Sequence, residues 1–487
     1  MNDDWEPFAP QDIGWSKRKR ALFGCLSLIL VAALLASAAS GASWLWSQWR
    51  AEWADVDKPA RAQQAGQEPT PTDAPLTREE ATTTAVPLPA ATATLSINRI
   101  AFVNPEGQVE TIAPDGRERR RLTDTDLRYQ FPAWSPNGDY LAVIGGNRSG
   151  SGVYLLQDVA NPPDPTERYF SIRLNPFYLY WSPDSQYLTF LANHPDNAIA
   201  LYLTPATGDV QNRVLATGSP FYWHWAANSE QILIHSGANN ANARIALLDA
   251  SGEAVEENVA PPGLFQAPSI SADGRYWAYA TQRDAGLSWL TMLNTETGSV
   301  YEQRHAGLLA MSWSPTENKL ALISGPPETE AFYGPLRLID ADTGEGRLLS
   351  RETVLAFFWS PDGRYLAYLS SSRLNRNIQA ASLTRPSKLS AKPQPTQGNH
   401  FFRLHVVDIA SGSDRHIVSF QPTILFLAQF LPYFDQYAHS HHLWSPDSGA
   451  LVLSVRQNGE NQVVIIPING EPLRELTAGD MAFWSQQ

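Results

Sequence analysis

A short phrase that begins Trp-Ser-Pro recurs along this 487-residue chain. Five copies keep that triplet, and two weaker copies replace part of it. The phrase starts at Trp134, Trp181, Trp225, Ile270, Trp313, Trp359 and Trp444, and a last fragment starts at Trp484. The successive spacings are 47, 44, 45, 43, 46, 85 and 40 residues. A period in the mid-forties, built from short strands, predicts a β-propeller with one four-stranded sheet, or blade, for each repeat.

Strands and turns follow the phrase at regular offsets. An alternating apolar strand comes after each copy, as at Tyr187–Leu191 and Tyr365–Leu369, and a Gly- or Asp-containing turn comes later. Strands, turns and phrases each number eight. Residues 98–123 supply three strands and Met481–Ser485 a fourth, so the two ends are expected to complete one blade together. We predict an all-β, eight-bladed propeller over residues 96–487, with seven blades as the alternative.

The phrase itself indicates a structural role. Ser-Pro-Asp-Gly suits a tight turn, since Pro presets one backbone angle and Asp and Gly tolerate the others. A Trp at the end of an inner strand can wedge between neighbouring blades, and burying its ring contributes ~2–3 kcal/mol. We interpret the following residues as blade anchors rather than as a sugar-binding platform: Trp134, Trp181, Trp225, Trp313, Trp359, Trp444 and Trp484.

The first residues predict a membrane anchor. Residues 1–20 are polar and end in Lys17-Arg18-Lys19-Arg20, whereas residues 21–46 contain no charged side chain. Such a stretch exceeds the ~20 helical residues that cross a hydrocarbon core, and the basic cluster should stay in the cytoplasm. We predict a cytoplasmic tail at 1–20, a single transmembrane helix at 21–46 and a propeller outside the cytoplasmic membrane.

Two alternatives remain for this segment. Ala36-Ser37-Ala38 fits the small-residue pattern of a cleaved signal peptide, which would make the protein secreted. Leu22-Phe23-Gly24-Cys25 resembles a lipobox, but no hydrophobic region precedes it. Cys25 is the only cysteine, so no internal disulfide can form.

Residues 47–95 follow the predicted span and are expected to be a disordered linker. They are rich in Pro, Thr and Ala, and no apolar periodicity continues through them. A segment of this composition cannot bury enough apolar surface to offset the loss of conformational entropy on ordering.

The repeat resembles the WD40-like repeats of TolB-type β-propellers. The resemblance consists of Trp-Ser-Pro-Asp-Gly, a following Leu-Ala-aromatic strand and an Asp-x-x-x-Gly-type turn, and it extends over roughly residues 97–487. It implies the fold more than the activity, because such propellers serve as binding platforms, as peptidase lids and as catalytic scaffolds. TolB carries an additional α/β domain, where this chain has the predicted span and linker. No Gly-x-Ser-x-Gly motif occurs, so we expect no hydrolase domain.

Two insertions interrupt the repeat between Trp359 and Trp444. The first, at 371–400, is polar and basic and is expected to be a solvated loop or a contact arm for an acidic partner. The second, at 419–440, is more apolar than a surface loop, and its apolar character continues to Leu443. It is expected either to plug the ring or to present an exposed docking patch.

The second insertion ends in His439-Ser440-His441-His442. These three histidines are weak candidates for a metal site, because adjacent residues on a strand point to opposite faces. We predict no catalytic residue and no cofactor. The net charge of −13 and the lack of a basic stripe argue against nucleic acid as a partner.

The sequence therefore favours a membrane-anchored, non-catalytic module that binds an envelope protein, a peptide or a glycan, with the propeller as a monomer. The alternative is an enzyme that processes a glycan or peptide in the propeller channel.

Overall fold

The computed structural model describes residues 98–195, 198–237, 243–263, 266–283, 287–305, 307–326, 332–371 and 401–486. The predicted cytoplasmic tail, membrane span and linker lie outside the described residues, as does the first insertion apart from Ser371. Within the residues just given, no helix is both long and apolar enough to cross a membrane.

The described residues contain thirty strands. The first fifteen are β1 (Ile100–Val103), β2 (Val109–Ile112), β3 (Arg120–Arg121), β4 (Arg128–Trp134), β5 (Leu141–Asn147), β6 (Gly150–Leu156), β7 (Thr166–Ser171), β8 (Pro176–Trp181), β9 (Tyr187–Asn193), β10 (Ile199–Pro205), β11 (Arg213–Gly218), β12 (Phe221–Trp225), β13 (Gln231–Ser236), β14 (Arg244–Asp249) and β15 (Ala254–Ala260). The others are β16 (Ser269–Ile270), β17 (Tyr276–Arg283), β18 (Leu287–Asn294), β19 (Val300–His305), β20 (Leu309–Trp313), β21 (Lys319–Ser324), β22 (Gly334–Asp340), β23 (Gly346–Trp359), β24 (Tyr365–Ser371), β25 (Phe402–Asp408), β26 (Asp414–Phe420), β27 (Ala450–Gln457), β28 (Glu460–Pro467), β29 (Arg474–Ala478) and β30 (Asp480–Trp484).

Consecutive strands pair antiparallel and form up-and-down sheets. Four sheets consist of β4–β7, β8–β11, β12–β15 and β16–β19. The first strands of successive sheets contact one another, as β4 contacts β8 and β16 contacts β20. The protein is therefore a β-propeller, as the repeat predicts. Middle strands such as β5 are buried almost throughout, because each sheet lies between two others, whereas the edge strand β7 is largely exposed.

One strand joins two parts of the ring. The 14-residue β23 pairs with β22 between Gly346 and Val354 and with β24 between Val354 and Trp359. As a result, β20–β26 form one seven-stranded sheet, and the strands make seven sheets in all. Eight blades were predicted, with seven as the alternative, and the described strands form seven sheets, one of which has seven strands.

The two ends of the described chain complete one sheet, which confirms the predicted closure. β30 pairs with β1, with Ile100 opposite Trp484 and Ala101 opposite Phe483, and β2 and β3 extend the same sheet. The Ser485 N–H donates to the Arg99 carbonyl at 2.8 Å, and the Arg99 N–H donates to Ser485 Oγ at 2.9 Å. This pairing removes two sheet edges that would otherwise be exposed.

The repeated turn is held by its own residues. In the turn after Trp359, the Ser360 N–H donates to the Tyr365 carbonyl and the Gly363 N–H to the Ser360 carbonyl, each at 2.9 Å. The Ser360 hydroxyl donates to Asp362 Oδ1 at 2.6 Å. The polar residues of the phrase therefore close the turn, and the Trp is left to contact the neighbouring sheet.

Four of the seven anchor indoles donate a hydrogen bond across the boundary between two sheets, which we call a seam. The indole N–H of Trp181 donates to the carbonyl of Ala133 at 2.9 Å, and that of Trp359 donates to Ser312 at 3.1 Å. Trp444 donates to Phe358 at 3.0 Å, and Trp313 donates to the carbonyl of Ser269 at 3.3 Å. Each acceptor is the residue just before the first residue of the preceding copy of the phrase, so the same hydrogen bond recurs at these four seams.

A serine at the fifth position of the phrase adds a second bond across a seam. The hydroxyl of Ser185 accepts the backbone N–H of Asn137 at 3.0 Å. Ser229 and Ser448 accept equivalent bonds at 2.9 and 3.2 Å. These three serines have φ near +60°, a conformation that costs a non-glycine residue ~1 kcal/mol. The bond across the seam offsets that cost.

Candidate functional site

The centre of the ring is filled by residues 421–443, here called the central segment. It contains a π-helical turn at Phe426–Phe430, a 3₁₀ turn at Leu431–Tyr433 and one α-helical turn at Phe434–Tyr437. Pro432 lies at the start of the 3₁₀ turn, where a missing N–H costs nothing. Phe430 and Phe434 are fully buried. Of the two arrangements expected for the second insertion, the structure shows the buried one.

The central segment contacts the inner strands of sheets all around the ring. The ring of Phe434 lies 5.3 Å from that of Phe357, centroid to centroid, and Tyr437 lies 5.1 Å from Phe131. Tyr437 also lies 5.0 Å from Tyr178. These edge-to-face and tilted contacts between β4, β8, β23 and the central segment make the segment part of the hydrophobic core.

Polar groups of the central segment are paired with the ring. The Gln436 side chain accepts the N–H of Trp223 at 3.1 Å and donates to the carbonyl of the same residue at 3.0 Å. The hydroxyl of Thr423 donates to Asp480 at 2.9 Å, which links the start of the segment to β30. Asp435 accepts the Gln436 N–H at 3.0 Å, and burial raises the pKa of its carboxyl to about 7. These bonds fix the segment in one orientation.

Two cavities lie where the central segment meets the repeated turns. The large cavity has a volume of about 390 Å³, and the small cavity has a volume of about 190 Å³. Turn residues such as Pro315, Pro361 and Pro446 form the wall of the large cavity. The central segment lines it through Ala438, His439, His441, His442 and Leu443. The two cavities share Tyr180, His439, His442 and Gln486. Among the described residues, no Asp, Glu, Lys or Arg lines either cavity.

The histidines at these cavities are neutral near pH 7. Burial lowers the pKa of His439 and of His442 to about 4, and that of His441 to about 3. Burial and the neighbouring His439 hold the pKa of His224 well below 6.5. The rings of His224 and His439 lie 4.2 Å apart, and Tyr180 stacks against His439 at 6.0 Å. The site therefore offers uncharged hydrogen-bonding groups and aromatic faces.

The three metal-ligand candidates do not converge. His441 Nδ1 lies 2.7 Å from Ser440 Oγ, and its Nε2 lies 3.4 Å from the Phe131 carbonyl. His439 packs against His224, and the backbone carbonyl of His442 accepts the Trp484 N–H at 2.8 Å. In the part of the chain that the structure describes, no group of three or more His, Cys, Asp or Glu residues is arranged to hold a metal ion.

The structure adds residues to the site that the repeat does not mark. Tyr180 precedes an anchor in sequence and has no metal-ligand spacing, yet it lines both cavities. Gln436 fixes the central segment although a lone glutamine carries no sequence signal. Of these additional site residues, His224 is the one with a signal in the sequence, because it directly precedes the anchor Trp225.

No protein-family model matches the chain. The uncharacterized protein Atu1656 of Agrobacterium fabrum is 25% identical over 269 residues, which are 52% of this chain and 88% of that protein. Dipeptidyl-peptidase 5 of Porphyromonas gingivalis is 22% identical over 308 residues, which are 60% of this chain and 43% of the peptidase. A solved structure of a putative TolB from Agrobacterium tumefaciens is 21% identical, covers 52% of this chain and 88% of that chain, and has a TM-score of 0.33. More than half of the peptidase's length therefore has no counterpart in the match.

Proposed function

We propose that this protein is a membrane-anchored, non-catalytic binding module whose propeller binds a ligand or partner in the cell envelope through the large and small cavities. One observation carries the proposal: two cavities with no charged side chain among their described lining residues lie between the repeated turns and the fixed central segment. A concave site with aromatic walls and few polar groups is what a binding site requires. A protein, a peptide or a glycan fits this description.

We further propose that the ring has eight blades. The seven-stranded sheet divides within β23, whose residues from Gly346 to Ser350 pair with β22 and whose residues from Ala356 to Trp359 pair with β24. The eighth blade then consists of β27–β29 and a shortened inner strand. The isolated bridge between Trp444 and Leu451 represents that inner strand. A crystal structure in which the ring has more or fewer than eight blades would contradict this count.

The membrane placement rests on residues 21–46 and on the basic cluster before them. In a Cys25→Ser background, a Thr83→Cys variant should react with an impermeant maleimide added to intact spheroplasts, and a Ser16→Cys variant should not. The reverse pattern contradicts the orientation. A mature chain whose first residue follows Ala38 supports the secreted alternative instead.

The binding role is tested by filling the large cavity. Ala272 lines that cavity, and Ala227 occupies the equivalent position of the preceding repeat without lining it. The full chain is used as bait on an envelope extract, and retained components are identified by mass spectrometry. Ala272→Arg should lose a component that both the wild-type protein and the matched Ala227→Arg variant retain.

Two outcomes contradict the proposal. If Ala272→Arg retains every component, the cavity is not the binding site. If the purified chain turns over a peptide or glycan library and retains no component, the enzymatic alternative replaces the binding module.

A further inference from the structure

The repeated phrase also arranges charge around the cavities. In seven copies, the N–H of the second phrase residue donates to the carbonyl five positions later, as from Ser182 to Tyr187 at 2.8 Å. We call the six residues closed by this bond a phrase turn. Six of the phrase turns line a cavity, and the seventh is joined to its neighbour by a bond from the Asp184 N–H to Ser229 Oγ at 2.9 Å. The phrase turns and the cavities therefore lie on one face of the ring.

The third position of the phrase is uncharged wherever it lines a cavity. The large cavity opens to solvent, and Ala272, Pro315 and Pro361 are exposed where they line it. Gln486 holds the same position after Trp484 and lines both cavities. We call the lining residues at this position the mouth residues: Pro136, Pro183, Ala272, Pro315, Pro361, Pro446 and Gln486. A ligand that enters therefore meets apolar and amide surface first.

Carboxylates surround this uncharged mouth. Each phrase turn carries one Asp or Glu, one to three positions after the third residue of the phrase, and all but Asp139 are exposed. The hydrogen bond from Ser445 lowers the pKa of Asp447, so that carboxyl is ionised at neutral pH. We call these residues the acidic collar: Asp139, Asp184, Glu230, Asp273, Glu317, Asp362 and Asp447.

The cations of the phrase turns do not neutralise the collar. The seven turns contain only three Lys or Arg residues, and each of these is already paired with a carboxylate. Arg275 pairs with Asp273 at 2.6 Å, and Lys319 pairs with Glu317. Arg364 pairs at 3.1 Å with Asp408, which lies outside the phrase turns. Seven carboxylates against three cations leave this face negatively charged.

The uncharged mouth and the acidic collar together narrow the partner. Nucleic acids, anionic lipid headgroups and uronates are repelled by the collar. A small cation finds no carboxylate among the described residues that line the cavities. A neutral glycan gains nothing from the collar. A polypeptide segment with apolar residues between Lys or Arg residues complements both parts, because one chain carries both kinds of side chain.

We propose that the large cavity and the acidic collar form a docking surface for a basic polypeptide segment. Uncharged apolar residues of that segment enter the cavity, and Lys or Arg residues on either side of them meet the collar. The inference rests on the proposed binding function and specifies the partner. Because the collar is exposed, its charges act mainly on the rate of association and on its dependence on salt.

The experiment selects short random peptides, displayed on phage, on the full chain in a neutral detergent at low ionic strength. Peptides that also bind the Ala272→Arg variant are discarded, because they do not need the large cavity. The retained peptides should carry a run of uncharged apolar residues with Lys or Arg on both sides. Their association rate, measured by surface plasmon resonance, should fall by at least about tenfold as salt is raised.

A variant with fewer collar charges tests the collar directly. Asp184→Asn, Asp362→Asn and Asp447→Asn are combined. Asparagine already serves at this phrase position, where Asn137 Oδ1 accepts the Ser135 hydroxyl at 2.8 Å, so the turns should stay closed. The triple variant should bind the retained peptides about tenfold more weakly at low salt and nearly as well as wild type at high salt.

A matched triple variant removes the same charge from the opposite face. Glu106→Gln, Asp124→Asn and Glu460→Gln change exposed residues in the loops at the far ends of the strands. This control should leave the affinity within about twofold of wild type, because those charges lie away from the mouth. Thermal melts of both triple variants establish that they are folded.

Four results overturn the docking surface. The retained peptides lack Lys and Arg, their association does not depend on salt, the two triple variants weaken binding equally, or no peptide is retained at all. If no peptide is retained while Ala272→Arg still loses an envelope component, the binding module stands and only the partner class is wrong.

Discussion

The ring and the central segment use aromatic side chains in opposite ways. In the ring, Trp181, Trp359 and Trp444 occupy one repeat position, and each donates the same hydrogen bond to the preceding sheet. In the central segment, Phe434 and Tyr437 each contact different sheets, and no contact repeats. The comparison teaches that the periodic residues build the scaffold and one wall of the cavities, while the residues that leave the period fill the centre of the ring and line the cavities from the other side.

If the central segment is part of the hydrophobic core, a substitution within it should have the largest effect on the free energy of unfolding. Phe434→Ala should lower the free energy of unfolding by ~3–5 kcal/mol, because a fully buried ring is replaced by a cavity. Phe401→Ala is the control, since that ring is 44% exposed, and its effect should stay within ~0.5 kcal/mol. Urea unfolding followed by tryptophan fluorescence measures both. A loss below ~1 kcal/mol for Phe434→Ala means that the segment contributes little to the fold.

The second prediction compares the stability lost when the anchor indole is removed at two different seams. Trp444→Phe and Trp134→Phe remove similar volume from equally buried sites, but only Trp444 gives up a hydrogen bond across the seam. Trp444→Phe should therefore be the more destabilising by ~1 kcal/mol. The same unfolding experiment gives the difference. Equal losses would show that the repeated indole bond does not stabilise the ring.

The third effect concerns the serine in the turn. Ser185→Ala removes the bond to Asn137 and keeps the left-handed conformation, so it should cost ~1 kcal/mol. Ser185→Gly removes the same bond but relieves the conformation, and the two changes should cancel to within ~0.5 kcal/mol. Thermal unfolding of the two variants side by side measures the separation. If both variants lose the same stability, the positive φ carries no cost at this position.

The most gradual effect is that of pH. His439, His441 and His442 have pKa values of about 4, 3 and 4 in the folded protein, against about 6.5 when unfolded. Below pH 6.5 the unfolded chain binds protons that the folded chain does not, so these groups make stability fall as the pH drops from 6.5 towards 4.

Asp435 acts in the opposite direction over much of this range. Its raised pKa means that the folded protein keeps a proton that the unfolded chain releases, so its contribution is lost as the pH rises from about 4 to about 7. His439→Gln with His442→Gln should flatten the acid limb of a stability–pH curve, and Asp435→Asn should steepen it. Unfolding free energies at half-unit pH steps measure these slopes. An acid limb as steep in the double variant as in the wild type contradicts the neutral state of these histidines.

Much of the ring could be predicted from the sequence because its signals are local. The strand predicted at Tyr187–Leu191 lies within β9, and the turn after Trp359 closes through its own Ser360 and Asp362. Closure was predictable because Met481–Ser485 has the pattern of an inner strand without partners of its own. The inner strand expected before Trp444 is reduced to a single bridge, since the central segment leads directly into that anchor.

The candidate site was less predictable because it depends on distant residues. Trp134 and Trp181 begin nearly identical phrases, yet the indole of Trp181 is paired and that of Trp134 is not. The difference arises at the seam with β30, more than 300 residues away, where Met481 and Phe131 share a distorted backbone. The histidine cluster was visible in sequence, but burial, which decides its charge and its contacts, was not.

The sheet that joins the two ends of the described chain can be completed only late in synthesis. The bond between Arg99 and Ser485 joins residues 386 positions apart, and β1 emerges from the ribosome before every other strand described here. At a synthesis rate of ~5–20 residues per second, β1 waits on the order of half a minute for its partner. Throughout that interval one edge of β1 is unpaired and able to join a foreign strand. The earliest strand to be made is thus among the last to be protected, and a nascent chain arrested before Asp480 should aggregate where the finished protein does not.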